Sequence, residues 1–424
     1  MSPPSVKKLA LIMFLAGVGL RGLWVGYCPL WQQADEYPHF YYVQHLYQQK
    51  SFPVSGTEFP YYESYQPPLY YLTVAGLYSL FPSLDTDRDK MGAETEVDRQ
   101  SGQFRDSNPM AKLLRWFSVL LWCGTYWTAY LFLSRFFRRK PHMVILPLAL
   151  LAFIPTLVSN SAAITNDGLA VFMATLFFYL AFVERGDGIR RAILLGAILG
   201  GAILSKYNNL ALIPLLLVSE FTFNRRNWLK SLAPVLAIAF LMVLPWALLN
   251  LKTYGTMLPV NPSFHVNSVA FSAVPSELYH SLRNMFWSFW AAAGRVYEIH
   301  FPIWLYVFIF GGISLICVAG MLKGFLSNAG EDEDNDKAEK QVLAIGGIFV
   351  LLLLFGSLYH TLWGSLLTSW GKNLYVAILP LSILFSYGWL KVRTSKLWVF
   401  SLPVLLFILN LVFWWGYVRP YFYG

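Results

Sequence analysis

An all-α polytopic membrane protein is the fold class that this sequence predicts, on three observations. Hydrophobic residues fill 56% of the positions and charged ones 13%, about half the charged share of an ordinary soluble chain. Apolar stretches of about 17 to 23 residues recur along the chain, the length that crosses roughly 30 Å of hydrocarbon. Basic residues collect in short runs between those stretches and give a net charge of +9, a distribution that orients membrane helices and leaves no nucleic-acid footprint. The expected partners therefore include membrane lipids and no nucleic acid. No stretch is long and polar enough to fold separately, so residues 1–424 read as one integral-membrane domain.

Taken in order, the crossings fall near 9–27, 112–134, 143–159, 166–183, 190–206, 208–223, 231–250, 302–322, 342–363, 373–390 and 396–417. The first follows Lys7 and Lys8, lacks a small-residue cleavage site and reads as a retained signal anchor. Lys7 and Lys8 belong inside, as do Arg135, Arg138, Arg139 and Lys140, then Arg185, Arg190 and Arg191, then Arg225, Arg226 and Lys230. Lys323, Lys391, Arg393 and Lys396 fit the same side. These placements agree when everything from 28 to 111 stays outside. The apolar segment 66–81, begun by Pro67 and Pro68, is then an interfacial or re-entrant helix. If it crossed, about eleven membrane segments would become twelve.

The connecting segments divide by side. The polar stretch 85–109 has no calcium-loop spacing and reads as a surface loop, and the acidic run 331–340 as an inner connector. The long loops 28–111 and 251–301 lie outside, so any chemistry faces out of the cytoplasm. Cys28, Cys123 and Cys317 are too far apart for a metal knuckle or a disulfide framework, and His265, His300 and His360 lack zinc-ligand spacing.

The chemistry-bearing stretch is WQQADEYPHFYYVQHLYQQ, residues 31–49, directly after the first apolar segment. It sets Asp35, Glu36 and His39 among aromatic residues at the mouth of a membrane helix, where carboxylates are costly and need a reason. A solvated loop anchored by aromatics is the plain alternative. On a helix His39 shares a face with Asp35, while Glu36 points about 100° away. Asn166 and Asp167 begin a later helix, where Asp167 either caps free backbone donors or faces the same outer cavity as Asp35. Arg115, Lys206 and Lys372 stand at outer helix ends, where they either snorkel or hold a lipid-linked phosphate. A transfer reaction needs a base for the acceptor proton, a role open to Asp35, and cations for a departing phosphate. Glu36 is then left to orient that base or bind a cation, and a divalent ion (Mg or Mn) is a feasible bridge between carboxylates and phosphate. Phe286, Trp287, Phe289, Trp290 and Tyr297 in the second outer loop suit stacking on a sugar or an isoprenoid chain.

The ordered motifs ADEYPHF (34–40), YQPPLYYL (65–72), LLRWFSVLL (113–121), SNSAAITNDGLAVFMATLFFYLA (159–181) and LSKYNNLALIPLLL (204–217) resemble the membrane glycosyltransferases of the GT-C superfamily. The branch they resemble is that of protein O-mannosyltransferases and lipid A aminoarabinose transferases. The resemblance covers about residues 8–220, with GKNLYVAILP at 371–380 added from the second half. It implies a GT-C-like helical bundle and a sugar donor linked to polyprenyl phosphate. It also implies transfer at the outer face of a bacterial inner or plasma membrane. The family's first-loop catalytic acid falls on Asp35, with Glu36 beside it, and its helix-start arginine on Arg115. Its later polar and basic residues fall on Asp167 and Lys206. Two positions depart from the pattern. Lys372 stands where family members carry arginine and keeps the charge without the planar fork, and Gln66 stands where a basic residue or histidine precedes Pro-Pro.

The expected function is therefore glycosyl transfer from a polyprenyl-phosphate-linked donor to a lipid, glycan or protein acceptor. A multi-pass lipid or small-molecule transporter is the alternative. It calls for paired broken helices in matching halves, and the sequence has no internal repeat.

Overall fold

The computed structural model describes residues 3–56, 61–86, 108–183, 188–259, 271–326, 333–363 and 369–424. Most of 85–109, His265 in the second outer loop and the start of 331–340 lie outside them. The described elements are helical except for a two-residue hairpin that pairs Ala292 with His300 and Ala293 with Ile299. Six helices among these residues are long and apolar enough to cross a membrane: Ser5–Tyr27, Trp228–Tyr254, Ile303–Leu326, Lys340–Tyr359, Gly371–Val392 and Lys396–Tyr423. The chain is thus an integral membrane protein.

The remaining predicted crossings correspond to shorter, interrupted or less apolar helices. Helix α1 is Pro3–Tyr27, α2 is Glu36–Gln49, α3 is Leu69–Leu80 and α4 is Pro109–Phe136. The predicted crossing 143–159 divides into α5, Ile145–Phe153, and α6, Pro155–Asn160, because Pro155 has no N–H to continue the ladder. Then follow α7, Asp167–Phe182, α8, Ile189–Ser205, α9, Leu212–Phe223, and α10, Trp228–Tyr254. Helix α11 is Val274–Trp290, and α12, Ile303–Leu326, leads to α13, Glu333–Trp363. A 3-10 turn, Gly371–Ala377, opens α14, Ile378–Val392, before α15, Lys396–Phe413.

Two apolar clusters organise these helices. The larger joins α1, α4, α5, α7, α8 and the carboxyl-terminal helices. The smaller is built by α2, α3 and the start of α4, with Tyr42 stacked on Tyr71 at 3.7 Å between ring centres. Asp85 ties this unit together by accepting from Gln44 (2.8 Å), Asn108 (2.7 Å) and the Tyr78 hydroxyl. Helices α8 and α10 approach closely at Gly196 and Gly200. A Cβ at Gly196 would lie 2.8 Å from the Val235 carbonyl oxygen and from Ile238 Cβ, the close approach that small residues four apart permit between membrane helices.

Two buried arginines fasten the amino-terminal half. Arg21 on α1 donates to Ser161 Oγ at 2.7 Å and to the Ala152 carbonyl at 3.1 Å, with its guanidinium 3.6 Å above the Trp122 ring. Arg115 on α4 grips Glu36 with two parallel bonds of 2.7 Å and also donates to the carbonyls of Cys28 (2.6 Å) and Pro29 (2.9 Å). Glu36 in turn accepts from the backbone N–H groups of Trp31 (3.0 Å) and Ile164 (3.3 Å). The end of α1, the start of α2, α4 and the turn before α7 thus meet at one ion pair with no exposure on either side chain.

Removing one member of such a pair leaves a buried charge without its partner, which costs about 3–5 kcal/mol. Arg115→Ala is expected to lower the melting temperature of the solubilised protein sharply, with Arg115→Lys in between because it keeps the charge and loses the fork. An Arg115→Ala protein that melts with the wild type would remove the clamp assigned to this pair.

Candidate active site

The start of α2 sets the geometry. Asp35 occupies its N-cap position in the left-handed region, with φ 59° and ψ 10°. Aspartate tolerates that conformation better than most residues, at some cost in strain. An N-cap aspartate ordinarily accepts from the first free N–H groups of its helix, but this carboxylate makes no such bond. Its Oδ2 accepts from Lys372 Nζ at 2.5 Å and its Oδ1 from the Tyr62 hydroxyl at 3.1 Å. Lys372 comes from the 3-10 turn before α14, 337 positions along the chain.

A second pair lies beside the first. Asp167, the first residue of α7, forms an ion pair with Lys206, which directly follows α8. Neither expectation for Asp167, a helix cap or a group facing the outer cavity, named Lys206 as its partner. Asn166 donates to Gln66 Oε1 (3.2 Å) and to the Ser205 carbonyl (3.1 Å), while its own Oδ1 is buried with no hydrogen-bond partner among the described residues. The charges of Asp35, Lys372, Asp167 and Lys206 all act on the buried ring of His39, whose Nδ1 is 2.7 Å from the Tyr71 hydroxyl. Asp35 is the open member of the group: its side chain is 28% exposed, against 9% for Lys372 and 11% each for Asp167 and Lys206.

The electrostatics follow from this crowding. Burial alone would push the Asp35 carboxyl up, but the Lys372 and His39 charges and the bonds from Lys372 and Tyr62 outweigh it and hold it down at about 2. Asp35 is therefore ionised near neutral pH. Burial pulls His39 down to about 4, against the opposing pull of Asp35, so its ring is neutral there. Burial together with the Asp35 charge pushes Glu63 up to about 7, although its bond from Gln66 works the other way. Tyr62 is driven far above the ordinary phenol range by burial and by Asp35, and it keeps its proton as a donor.

Several expected residues meet here and two do not. Asp35, His39, Asn166, Asp167, Lys206 and Lys372 gather in one region. Glu36 and Arg115 are fully buried and bound to each other, although Glu36 is adjacent to Asp35 in sequence. Glu63 and Tyr62 join the site without having been singled out. Their signal in the sequence is a glutamate within a tyrosine-dense segment just before Pro67 and Pro68. Tyr297, noted for stacking, has a left-handed backbone (φ 59°), accepts from Asn160 at 3.3 Å and packs against Trp370. The donor set does not fit a resident divalent cation, because lysine ammoniums sit on both aspartates where an ion would be coordinated. No group of three or more His, Cys, Asp or Glu is placed to hold one among the described residues.

The family model of dolichyl-phosphate-mannose-protein mannosyltransferases matches residues 110–248. No curated protein matches the chain. Among solved structures, the apo oligosaccharyltransferase of Archaeoglobus fulgidus superposes with a TM-score of 0.54 at 12% identity, covering 98% of this chain and 55% of that one. The archaeal oligosaccharyltransferase AglB from the same organism, in complex with an inhibitory peptide and a dolichol-phosphate, gives 0.52 at 12% identity, with 98% and 55% covered. ArnT from Cupriavidus metallidurans bound to undecaprenyl phosphate gives 0.49 at 14% identity, with 92% and 60% covered. The chain spans 55% to 60% of the length of these structures. In fold, it resembles the membrane glycosyltransferases of the GT-C superfamily.

Proposed function

We propose that the chain is a glycosyltransferase that moves a sugar from a polyprenyl-phosphate-linked donor to an acceptor at the extracytoplasmic face of a bacterial inner or plasma membrane. One observation carries this reading. Two aspartate–lysine pairs, Asp35–Lys372 and Asp167–Lys206, converge from separate parts of the chain beside the most exposed carboxylate of the group. The fold shared with AglB, whose structure holds a dolichol-phosphate, supports the same donor class. The acceptor is a lipid, a glycan or a protein.

In this reading Asp35 is the base. An acceptor hydroxyl attacks the anomeric carbon and gives its proton to Asp35, while the bond from that carbon to the phosphate oxygen breaks. The leaving phosphate keeps the electron pair, and its growing charge is met by Lys372 and Lys206. The same ammonium that holds Asp35 faces the phosphate site, so donor binding draws Lys372 from the carboxylate and makes Asp35 a stronger base. Asp167 keeps Lys206 in place, and Asn166 and His39 position the neighbouring polar groups. The extended first loop, 28–111, carries the base, and the second, 251–301, supplies Tyr297. Glu36 and Arg115 act as the clamp behind the base, a role that replaces both the catalytic part for Glu36 and the phosphate part for Arg115.

Purified protein incubated with a panel of polyprenyl-phosphate sugars should consume one donor class. Asp35→Asn is expected to lower kcat by about 10²–10⁴, as loss of a general base does, in a protein that still folds although Lys372 loses its partner charge and the melting temperature falls. Full transfer by a folded Asp35→Asn protein would end the base assignment. Lys372→Gln should raise donor KM as well as lower kcat.

Glu63 gives a separate pH signature. It is neutral below about 7 and negative above, because burial and Asp35 both raise it. Ionisation adds a negative charge where phosphate must bind, so donor KM should rise as pH passes through 7. Glu63→Gln should flatten that rise; a profile unchanged by the substitution would assign the inflection elsewhere.

A further inference from the structure

One cavity among the described residues lies away from the Asp35 site. Helices α7 and α8 carry Asp167 and Lys206 at one end, and at the other they border a cavity of about 810 Å³ closed by the end of α9 and the start of α10. A helix of 16 residues, the length of α7, separates the two regions by about 24 Å at 1.5 Å per residue.

Its lining is rich in hydrogen-bond donors. Arg191 donates to Glu220 Oε1 at 2.6 Å and to Ser231 Oγ at 3.1 Å, and its Nε is buried with no partner among the described residues. Lys230 and Asn227 are exposed at the mouth. Asn224 donates to the other oxygen of Glu220 at 3.5 Å, so the one lining carboxylate among the described residues is held by the protein's own groups. Exposed Arg190, Arg225 and Arg226 flank the lining residues in sequence and strengthen the positive potential. Phe223 and Pro234 supply apolar wall. The volume falls in the range of about 300–1,000 Å³ that holds whole small molecules and exceeds the need of a bare ion.

We propose that this cavity binds a phosphate-bearing anion, met in the membrane as an anionic phospholipid headgroup, on the face opposite the Asp35 site. The chemistry is that of basic pockets between membrane helices, where headgroup phosphate meets cations and the first acyl carbons meet apolar wall. Lys230 and Asn227 bind from the mouth, and Arg191, braced by Glu220 and Ser231, supplies the fixed charge behind them. The site stands independently of the transfer reaction, so neither proposal falls with the other.

The test uses the full-length protein in detergent, titrated with phosphatidylglycerol, with phosphatidylcholine and, separately, with inorganic phosphate. Native mass spectrometry reads retained lipid, and the melting temperature reads phosphate binding. Phosphatidylglycerol should be retained over phosphatidylcholine, and Lys230→Glu should weaken its retention by about fivefold or more. Arg393→Glu, an exposed charge outside the cavity, should leave retention unchanged. Stabilisation by phosphate alone, lost in Lys230→Glu, would support the site with a free anion as its source. Lipid retention without a phosphate effect would support it with the headgroup as source. Equal retention of the two lipids with no phosphate effect would overturn it, as would equal losses in the two variants.

Discussion

The Glu36–Arg115 pair is the interaction on which the outer end of the bundle depends. Two charges removed from water are tolerated only when their remaining donors and acceptors are satisfied. Here Arg115 also meets the carbonyls of Cys28 and Pro29, and Glu36 the N–H groups of Trp31 and Ile164. Each of those backbone groups belongs to a segment that is neither helix nor strand, so the pair supplies partners that a regular ladder would otherwise provide. It fixes the exit of α1 and the entry of α2 at one point and thereby dictates where the adjacent Asp35 must stand.

From that fixed point the remaining charges fall into place. With Glu36 committed inward, the left-handed turn at Asp35 aims its carboxylate away from its own helix and toward Lys372. Each aspartate of the two pairs has one lysine, so each desolvated charge is offset by its partner. In the proposed reaction an incoming phosphate competes for the ammoniums and leaves the carboxylates less tightly held. Glu63 has no ion-pair partner among the described residues, and burial together with the Asp35 charge raises it to about 7.

Much of the bundle was legible in the sequence, because apolar length reports a membrane helix directly. Six of the predicted crossings fall on described helices long and apolar enough to span a membrane, and the break at Pro155 follows from a visible residue. Asp35, Asp167, Lys206 and Lys372 were legible as polar groups at helix ends, since each is costly where it sits. Their pairing was not, because 337 positions separate Asp35 from Lys372 and no local pattern encodes which lysine meets which aspartate. The pairing of Glu36 with Arg115 was not legible either, because a charge in an aromatic segment reads alike whether it faces a ligand or a buried partner. Arg21 shows the same blindness in α1, where it sits fully buried among carbonyls and Trp122.

The short helices explain why the site is built from pairs. At 16 and 17 residues, α7 and α8 span about 24 to 26 Å, less than the roughly 30 Å of hydrocarbon. Their polar ends therefore cannot all reach bulk water, and Asp167 and Lys206 stand where a lone ion would be costly. Irregular backbone is tolerated at such depth only where it is buried in protein or lines a polar cavity. The turn between α6 and α7, the segment after α8 and the 3-10 turn before α14 all supply that irregular backbone, and Asp167, Lys206 and Lys372 each come from it or from its edge. The breaks in the helices and the paired charges are thus one design: the backbone departs from regularity where the side chains can hold its polarity, and that is where a phosphate could be received.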